Sequence, residues 1–395
     1  MVSPCSSRPS YLTRAALSEA PTLLDVFREH GPTYAAGHTL RPEQRRFLRD
    51  VQVCRTAALG GHLYVCNHCG REIPVYNPCK NRHCPACQAL DQHRWITKRK
   101  ERLLPVGHHH VVFTLPSELR PLARLHQREI YNLLFKAAGD ALKRLAKDHW
   151  SARIGVTCVL HTWTRELAFH PHIHALVTAG GLSLDDQQWT DRGNYLFPVN
   201  RLKRLFANSL RERLRALRDH GLLLPGQDAA DPQRWTAFLR TLPPWRRWVV
   251  HIEPPFGRST HVLEYLGRYT HRVAISDARL VRLEGGAVTF RTREEDETTL
   301  DAHEFIRRFL LHILPKGFHK IRHLGLYASA AGRRLALATK AIGEGDRDHE
   351  DRDLQDLNWP ELLESLTGED PLRCPYCRRG RFQYGGELPP RRAPP

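Results

Sequence analysis

The stretch His170-Pro171-His172-Ile173-His174 carries the densest chemistry in the chain. It leads into the apolar run Ala175-Leu176-Val177-Thr178 and follows another, Val156-Thr157-Cys158-Val159-Leu160, so the region reads as two adjacent strands. Alternation along a strand puts His172 and His174 on one face and turns Ile173 into the core. Two imidazoles side by side on a rigid strand are half of a divalent-metal site. His161 ends the preceding strand. A hairpin turning between Arg165 and Phe169 sets it across from the pair as the candidate third ligand, with His170, at the loop edge, as the alternative. Any one of 24 histidines is more simply a satisfied core or surface residue; the alignment of several is what argues for an ion.

Tyr265 and Tyr269 supply a second chemistry. Four apart, they share one face of a helix that Ser259 or Thr260 can cap, with His261 one turn back. Glu264 and Arg268 pair on a different face. An amphipathic helix burying both rings is the plainer reading of the tyrosines by themselves. A paired-histidine metal site with a tyrosine nucleophile, however, is equipment for cutting and rejoining single-stranded DNA.

The cysteines suggest a third. Cys66-x-x-Cys69 and Cys84-x-x-Cys87 are two knuckles, each able to aim both thiolates at one ion, and together they make a tetrahedral four-thiolate Zn²⁺ shell. Cys54, Cys79, His62, His68 and His83 lie nearby and read more simply as buried thiols or surface imidazoles, though a second site or substitution within the first is open to them. Cys374-x-x-Cys377 is half a site, needing histidines or a second subunit to complete it. Arg82 and Arg94 give the zinc module a basic surface.

The chain has 395 residues, 41% of them hydrophobic, enough for two or three domains with real cores. Its 60 Lys and Arg against 42 Asp and Glu leave a net charge of +18, which favours a polyanionic partner such as nucleic acid. No segment approaches the roughly 18 apolar residues a membrane span needs. The N-terminus lacks the features of a signal peptide. Both observations point to the cytoplasm, where thiols stay reduced.

The elements that must position these groups follow a pattern. A strand at 110–115 is followed by a long amphipathic helix at 118–149 and the two strands. A helical insertion comes next, with eleven basic residues against four acids from Arg201 to Arg247, Lys203 and Arg204 among them. A strand at 248–252, the tyrosine helix, a hairpin turning at Gly285-Gly286 and a basic helix at 303–314 complete the pattern. This order is a split β-α-β and predicts an α+β fold, an antiparallel sheet with helices on one face, preceded by a small helical and zinc-binding module. Three domains are expected: 1–100, 105–335 with an insertion at 185–245, and 336–395. The last is an acidic linker, with eleven acids against two arginines from Glu344 to Asp370, and a partly disordered CxxC tail.

The cysteine cluster with Asn81-Arg82-His83-Cys84-Pro85-x-Cys87-Gln88, the His172-Ile173-His174 pair and the Tyr265-to-Tyr269 motif together resemble the insertion-sequence-91 family. These are bacterial rolling-circle transposases of the His-hydrophobe-His endonuclease superfamily with two tyrosines. Arg307-Arg308-Phe309 through Leu314-Pro315-Lys316-Gly317-Phe318 looks like that family's C-terminal half, and the resemblance spans about residues 40–330 in order. It implies that His172, His174 and a third ligand hold Mg²⁺ or Mn²⁺. It also implies that Tyr265 and Tyr269 attack a scissile phosphate to give a 5′-phosphotyrosine, and that Arg268 and Arg272 favour the phenolate. The partners it implies are single-stranded DNA at element ends and target DNA, in the bacterial nucleoid. Trp235, Trp245 and Trp248 are candidate stacking platforms, or else core. A plasmid replication initiator or relaxase, a non-catalytic zinc-finger DNA-binding protein, and a His-based metallohydrolase unrelated to DNA are the competing readings.

Overall fold

The computed structural model describes residues 20–87, 102–226, 231–256, 274–293, 296–343 and 358–391. The expected α+β class with antiparallel sheets is what it contains. No helix among the described residues is long and apolar enough to cross a membrane. The chain divides into two compact units, Met1–Asp91 with Ile275–Arg307 and His349–Pro395, and Gln92–Ala274 with Arg308–Asp348. This differs from three consecutive domains: the first unit is gathered from three separate stretches of chain.

The second unit is built on five strands, β1 (His108–Thr114), β2 (Gly155–Trp163), β3 (Phe169–Thr178), β4 (Val250–Phe256) and β5 (Ile321–Gly325). Their order in the sheet is β5-β2-β3-β1-β4, with every neighbour antiparallel. Ile173, Ala175 and Val177 of β3, Val156, Cys158 and Leu160 of β2, and Val111 and Phe113 of β1 share one core. Helix α1 (Gln127–Trp150) covers them with Ile130, Leu134, Ala138 and Leu142, and helix α2 (Val199–Asp219) adds Leu202, Phe206 and Leu210. The intervening residues of each strand take the opposite face. A one-residue slip of β3 would expose three apolar side chains, each worth roughly 1.5–3 kcal/mol of burial, and drive imidazoles into the core. The apolar alternation therefore decides which face the histidines occupy.

Several local features depart from the expected pattern. The long helix begins late: Arg120–Leu125 is a separate short helix, and His126 (φ −121°, ψ 61°) breaks the run while its ring bonds the Leu223 carbonyl at 2.8 Å. Strand β5 was not legible in sequence, and it edges the sheet beside β2. A Cβ at Gly139 of α1 would meet the terminal methyl of Leu324 on this edge strand and require that side chain to shift. Trp235 and Trp248 are fully buried and donate their indole N–H groups to the Leu222 and Pro243 carbonyls at 2.6 and 2.9 Å, so they are core rather than stacking platforms. Trp245 is partly buried against the same core, with the Arg246 guanidinium over its ring.

In the first unit, helices Leu23–Gly37 and Pro42–Gln52 pack through an edge-to-face pair, Phe27 on Phe47, with centroids 5.1 Å apart. The hairpin Leu280–Glu284 and Ala287–Arg293 turns at Gly285 and Gly286, both left-handed (φ +57° and +76°), a conformation that favours glycine. It belongs to this unit rather than to the histidine-bearing one. Gly61–Cys66 is the centre of a three-stranded sheet, with Glu72–Tyr76 on one side and Phe382–Leu388 on the other. The tail segment expected to lack order is thus a paired strand.

Candidate metal centres and catalytic site

His161, His172 and His174 come together on the sheet face opposite the helices. His161 pairs directly with His172 across the β2–β3 ladder, and His174 lies two residues further along β3. One ring nitrogen from each falls within 4.8 Å of the others. The hairpin that brings them together is locally enforced. A bulge between His161 and Trp163 sets His170 and Pro171 opposite a single residue, a position where proline's missing N–H is tolerated. Buried His312 contacts Thr162 Oγ1 at 3.1 Å and the Leu167 carbonyl at 3.3 Å, tying down the loop at Thr164–Ala168. His170 is a neighbour of the trio rather than a member: its ring centroid lies 5.3 Å from that of His172, but its Nδ1 accepts from Arg120 at 2.7 Å.

Hydrogen bonds assign which nitrogen of His172 and of His174 can face an ion. His172 Nδ1 donates to the His170 carbonyl at 2.6 Å, which leaves the lone pair on Nε2. His174 Nδ1 lies 2.8 Å from His110 Nε2, and His110 Nδ1 lies 2.7 Å from a carboxylate oxygen of Glu253. A carboxylate only accepts, so His110 carries its proton on Nδ1. Burial lowers the His110 pKa, against the pull of Glu253, and keeps it neutral. Its Nε2 must then accept from His174 Nδ1–H, which again places the lone pair on Nε2. Burial also pushes His172 down to about 4 and His174 well below its usual value, with neighbouring imidazoles adding to the shift for His174. His172 and His174 are therefore neutral near pH 7, as metal ligands must be.

His110 and Glu253 were missed in sequence. The signal was the run His108-His109-His110 leading into a strand, and only the ladder reveals that His110 and Glu253 share the face of His174. Tyr265, Tyr269, Arg268 and Arg272 lie outside the described residues, as does Arg94. Arg82 is exposed beside the cysteines of the first unit, and Lys203 and Arg204 stand on the first turns of α2, away from its buried stripe.

The cysteines form two clusters, and neither is the expected quartet. Cys84 and Cys87 join Cys54 and Cys79, while Cys66 and Cys69 join Cys374 and Cys377. Sulfur separations are 3.4 Å for Cys54–Cys87, 3.6 Å for Cys54–Cys84 and 3.7 Å for Cys79–Cys87. In the other cluster they are 3.7 Å for Cys66–Cys377 and 3.8 Å for Cys69–Cys374. A tetrahedral ZnS₄ centre with Zn–S near 2.3 Å has edges of about 3.8 Å, so both sets fit that ion. The expected grouping of Cys66, Cys69, Cys84 and Cys87 fails because the first knuckle caps the end of the strand Gly61–Cys66, beside the returning tail. The second packs instead against Cys54, just past the helix Pro42–Gln52. Cys54 and Cys79 are cluster members rather than inert thiols.

The class of protein follows from comparison. Residues 155–334 match a family model described as "Putative transposase", and residues 26–115 match one described as "Transposase zinc-binding domain". The histidine trio lies inside the first segment and the Cys54 cluster inside the second; Cys374 and Cys377 lie outside both. A Sinorhizobium fredii protein named putative transposase y4qJ is 40% identical over 382 residues, covering 92% of this chain and 94% of its own. A Pseudomonas savastanoi pv. phaseolicola protein, the transposase for insertion sequence element IS801, is 30% identical over 356 residues, covering 84% and 82%. No solved structure matches. The chain belongs to the insertion-sequence-91 family of transposases, with an N-terminal zinc-binding domain. It is accordingly a DNA-processing enzyme, and its cysteine clusters suit structural zinc.

Proposed function

We propose that this chain nicks and rejoins single-stranded DNA through a 5′-phosphotyrosine intermediate, driving rolling-circle transposition of an insertion sequence. The observation that carries the reading is the trio His161, His172 and His174, gathered on one face of an antiparallel sheet with two ring tautomers set by hydrogen bonds. A sheet with helices on one face and paired histidines on the other is also the arrangement expected of a His-hydrophobe-His endonuclease palm.

Three imidazole ligands are one short of a closed four-ligand shell, as suits a catalytic divalent ion rather than a structural one. Of the two ions the family resemblance implies, Mg²⁺ holds its waters and oxygen ligands the more strictly, so three nitrogen donors favour Mn²⁺. Such an ion supplies charge neutralisation at the scissile phosphate. The chain's own groups do the rest. The phenol oxygen of Tyr265 or Tyr269 attacks phosphorus, the P–O3′ bond breaks, and the leaving oxygen takes up a proton to become a 3′-OH. Arg268 and Arg272 would favour the phenolate by their charge, since a free tyrosine with a pKa near 10 is a poor nucleophile. Rejoining is the reverse attack of a 3′-OH, with the tyrosine oxygen leaving, so no external energy source is needed. Lys203, Arg204, Arg82 and Arg94 would contact backbone phosphates of the strand at the element ends and in target DNA.

The test is incubation of the protein with labelled single-stranded oligonucleotides carrying an element end, plus Mn²⁺, followed by denaturing gels. A covalent protein–DNA adduct with a free 3′-OH fragment is expected. Cleavage that leaves no adduct would assign the attack to water and overturn the tyrosine mechanism.

A further inference from the structure

We propose that the C-terminal knuckle Cys374-x-x-Cys377 completes a second structural zinc site with Cys66 and Cys69. Each chain would then carry two Zn²⁺ ions, and the zinc-binding module would be closed by two knuckles about 300 residues apart in sequence.

The two knuckles are built alike. In the first, Gly70 is left-handed (φ +68°) and its N–H donates to the Cys66 carbonyl at 3.0 Å, while Cys66 N–H donates to the Arg71 carbonyl at 2.9 Å. In the second, Arg378 is left-handed (φ +57°), its N–H donates to the Cys374 carbonyl at 2.9 Å, and Cys374 N–H donates to the Gly380 carbonyl at 2.9 Å. Each loop thus aims two sulfurs from a tight turn at the same point, and the two are laced together. Asn67 N–H donates to the Arg381 carbonyl at 3.1 Å, and Arg381 N–H to Asn67 Oδ1 at 2.9 Å. The Arg71 guanidinium lies over the Tyr376 ring, 4.0 Å from its centroid.

The separations of 3.7 and 3.8 Å between knuckles are those of a tetrahedral edge and much longer than a disulfide's roughly 2.05 Å. The Gly380 N–H points at Cys377 Sγ at 3.4 Å, a donor placed for the thiolate a metal requires. The local packing suits a metal. The buried apolar cluster here is Cys66, Cys374 and Phe382, with Tyr64, Ile73 and Leu372 partly covered around it. A structural metal would add cross-linking to a ladder that rests on this small core. Tetrahedral thiolate sets take zinc or iron, and the matching geometry of the Cys54 cluster favours one ion type for both.

The experiment is a metal count on the full-length protein by inductively coupled plasma mass spectrometry. Two zinc ions per chain are expected, falling to one in the Cys374→Ser/Cys377→Ser variant, with no iron in either. One zinc per wild-type chain, iron in place of zinc, or two zinc ions retained by the double variant would each overturn the proposal. Should the variant fail to fold, iodoacetamide labelling of the wild-type protein decides. Cys374 and Cys377 are expected to label only after zinc is removed by a chelator, and labelling as fast before chelation as after would refute the site. Neither measurement depends on DNA cleavage, so the outcome is independent of the tyrosine mechanism.

Discussion

The histidine cluster and the cysteine clusters are assembled in opposite ways. His161, His172 and His174 come from one hairpin, where strand pairing alone sets them side by side. Cys69 and Cys374 lie 305 residues apart and meet through a strand, Phe382–Leu388, that pairs with Gly61–Cys66. The chemistry differs in the same sense. Four thiolates make a closed shell whose value is in folding, whereas three imidazoles leave coordination positions for a substrate oxygen. The protein thus separates the metals that would build it from the metal that would work in it.

Removing the nucleophile should have the largest effect on that working site while touching neither metal. Replacing both Tyr265 and Tyr269 by Phe is expected to abolish cleavage and adduct formation, by at least about 10³-fold, with zinc content and DNA affinity unchanged. A double variant that still cuts at the wild-type rate would sink the tyrosine assignment. Next, His172→Ala should eliminate cleavage by loss of the ion, and excess Mn²⁺ should not restore it. Its zinc content should stay at the wild-type value, and a drop would mean that the two kinds of site are not separate. Conversely, Cys84→Ser should lose one zinc and destabilise the first unit. If it keeps wild-type zinc and thermal stability, the Cys54 cluster is not a structural site.

Smaller effects sharpen the comparison. If Glu253 and His110 orient His174, Glu253→Gln should weaken Mn²⁺ binding by roughly 10–100-fold, as changes beyond the direct ligands of a metal do. Saturating Mn²⁺ should then recover most of the rate, and unchanged Mn²⁺ affinity would discard the relay. The smallest expected effect concerns acid stability. Burial pushes His312 down to about 3 from an unfolded value of about 6.5, so the unfolded chain binds more protons between those limits. Stability should therefore fall as pH drops below about 6.5, and His312→Gln should flatten that limb in thermal melts across pH.

The histidine half of the candidate site was largely legible because its signal is local. His-x-His in an apolar run, with a third histidine ending the previous strand, needs only the period of two and a short hairpin. The zinc grouping was not legible. Spacing within Cys66-x-x-Cys69 and Cys84-x-x-Cys87 shows that each is a knuckle, but nothing in the spacing says which knuckles share an ion. Counting would have helped, since Cys54, Cys79, Cys374 and Cys377 raise the total to two full sets of four. The tail was misjudged for a related reason: its polar composition suits disorder, yet Phe382 and the Cys374 knuckle give it one buried anchor each. The indoles of Trp235 and Trp248 were ambiguous until their N–H partners were seen.

By itself, the sequence determined the class of fold, the strand alternation that turns His172 and His174 to one face, the knuckles, and the basic charge that suits DNA. These rest on short-range periodicity, which a chain carries wherever it is read. Tertiary structure decided what depends on pairing between distant segments. It chose which cysteines meet, brought Glu253 through His110 to His174 across three strands, and drew Ile275–Arg307 and the tail into the N-terminal unit. Such pairings arise from the register and burial of whole strands, where each contact is favourable only because many others form with it.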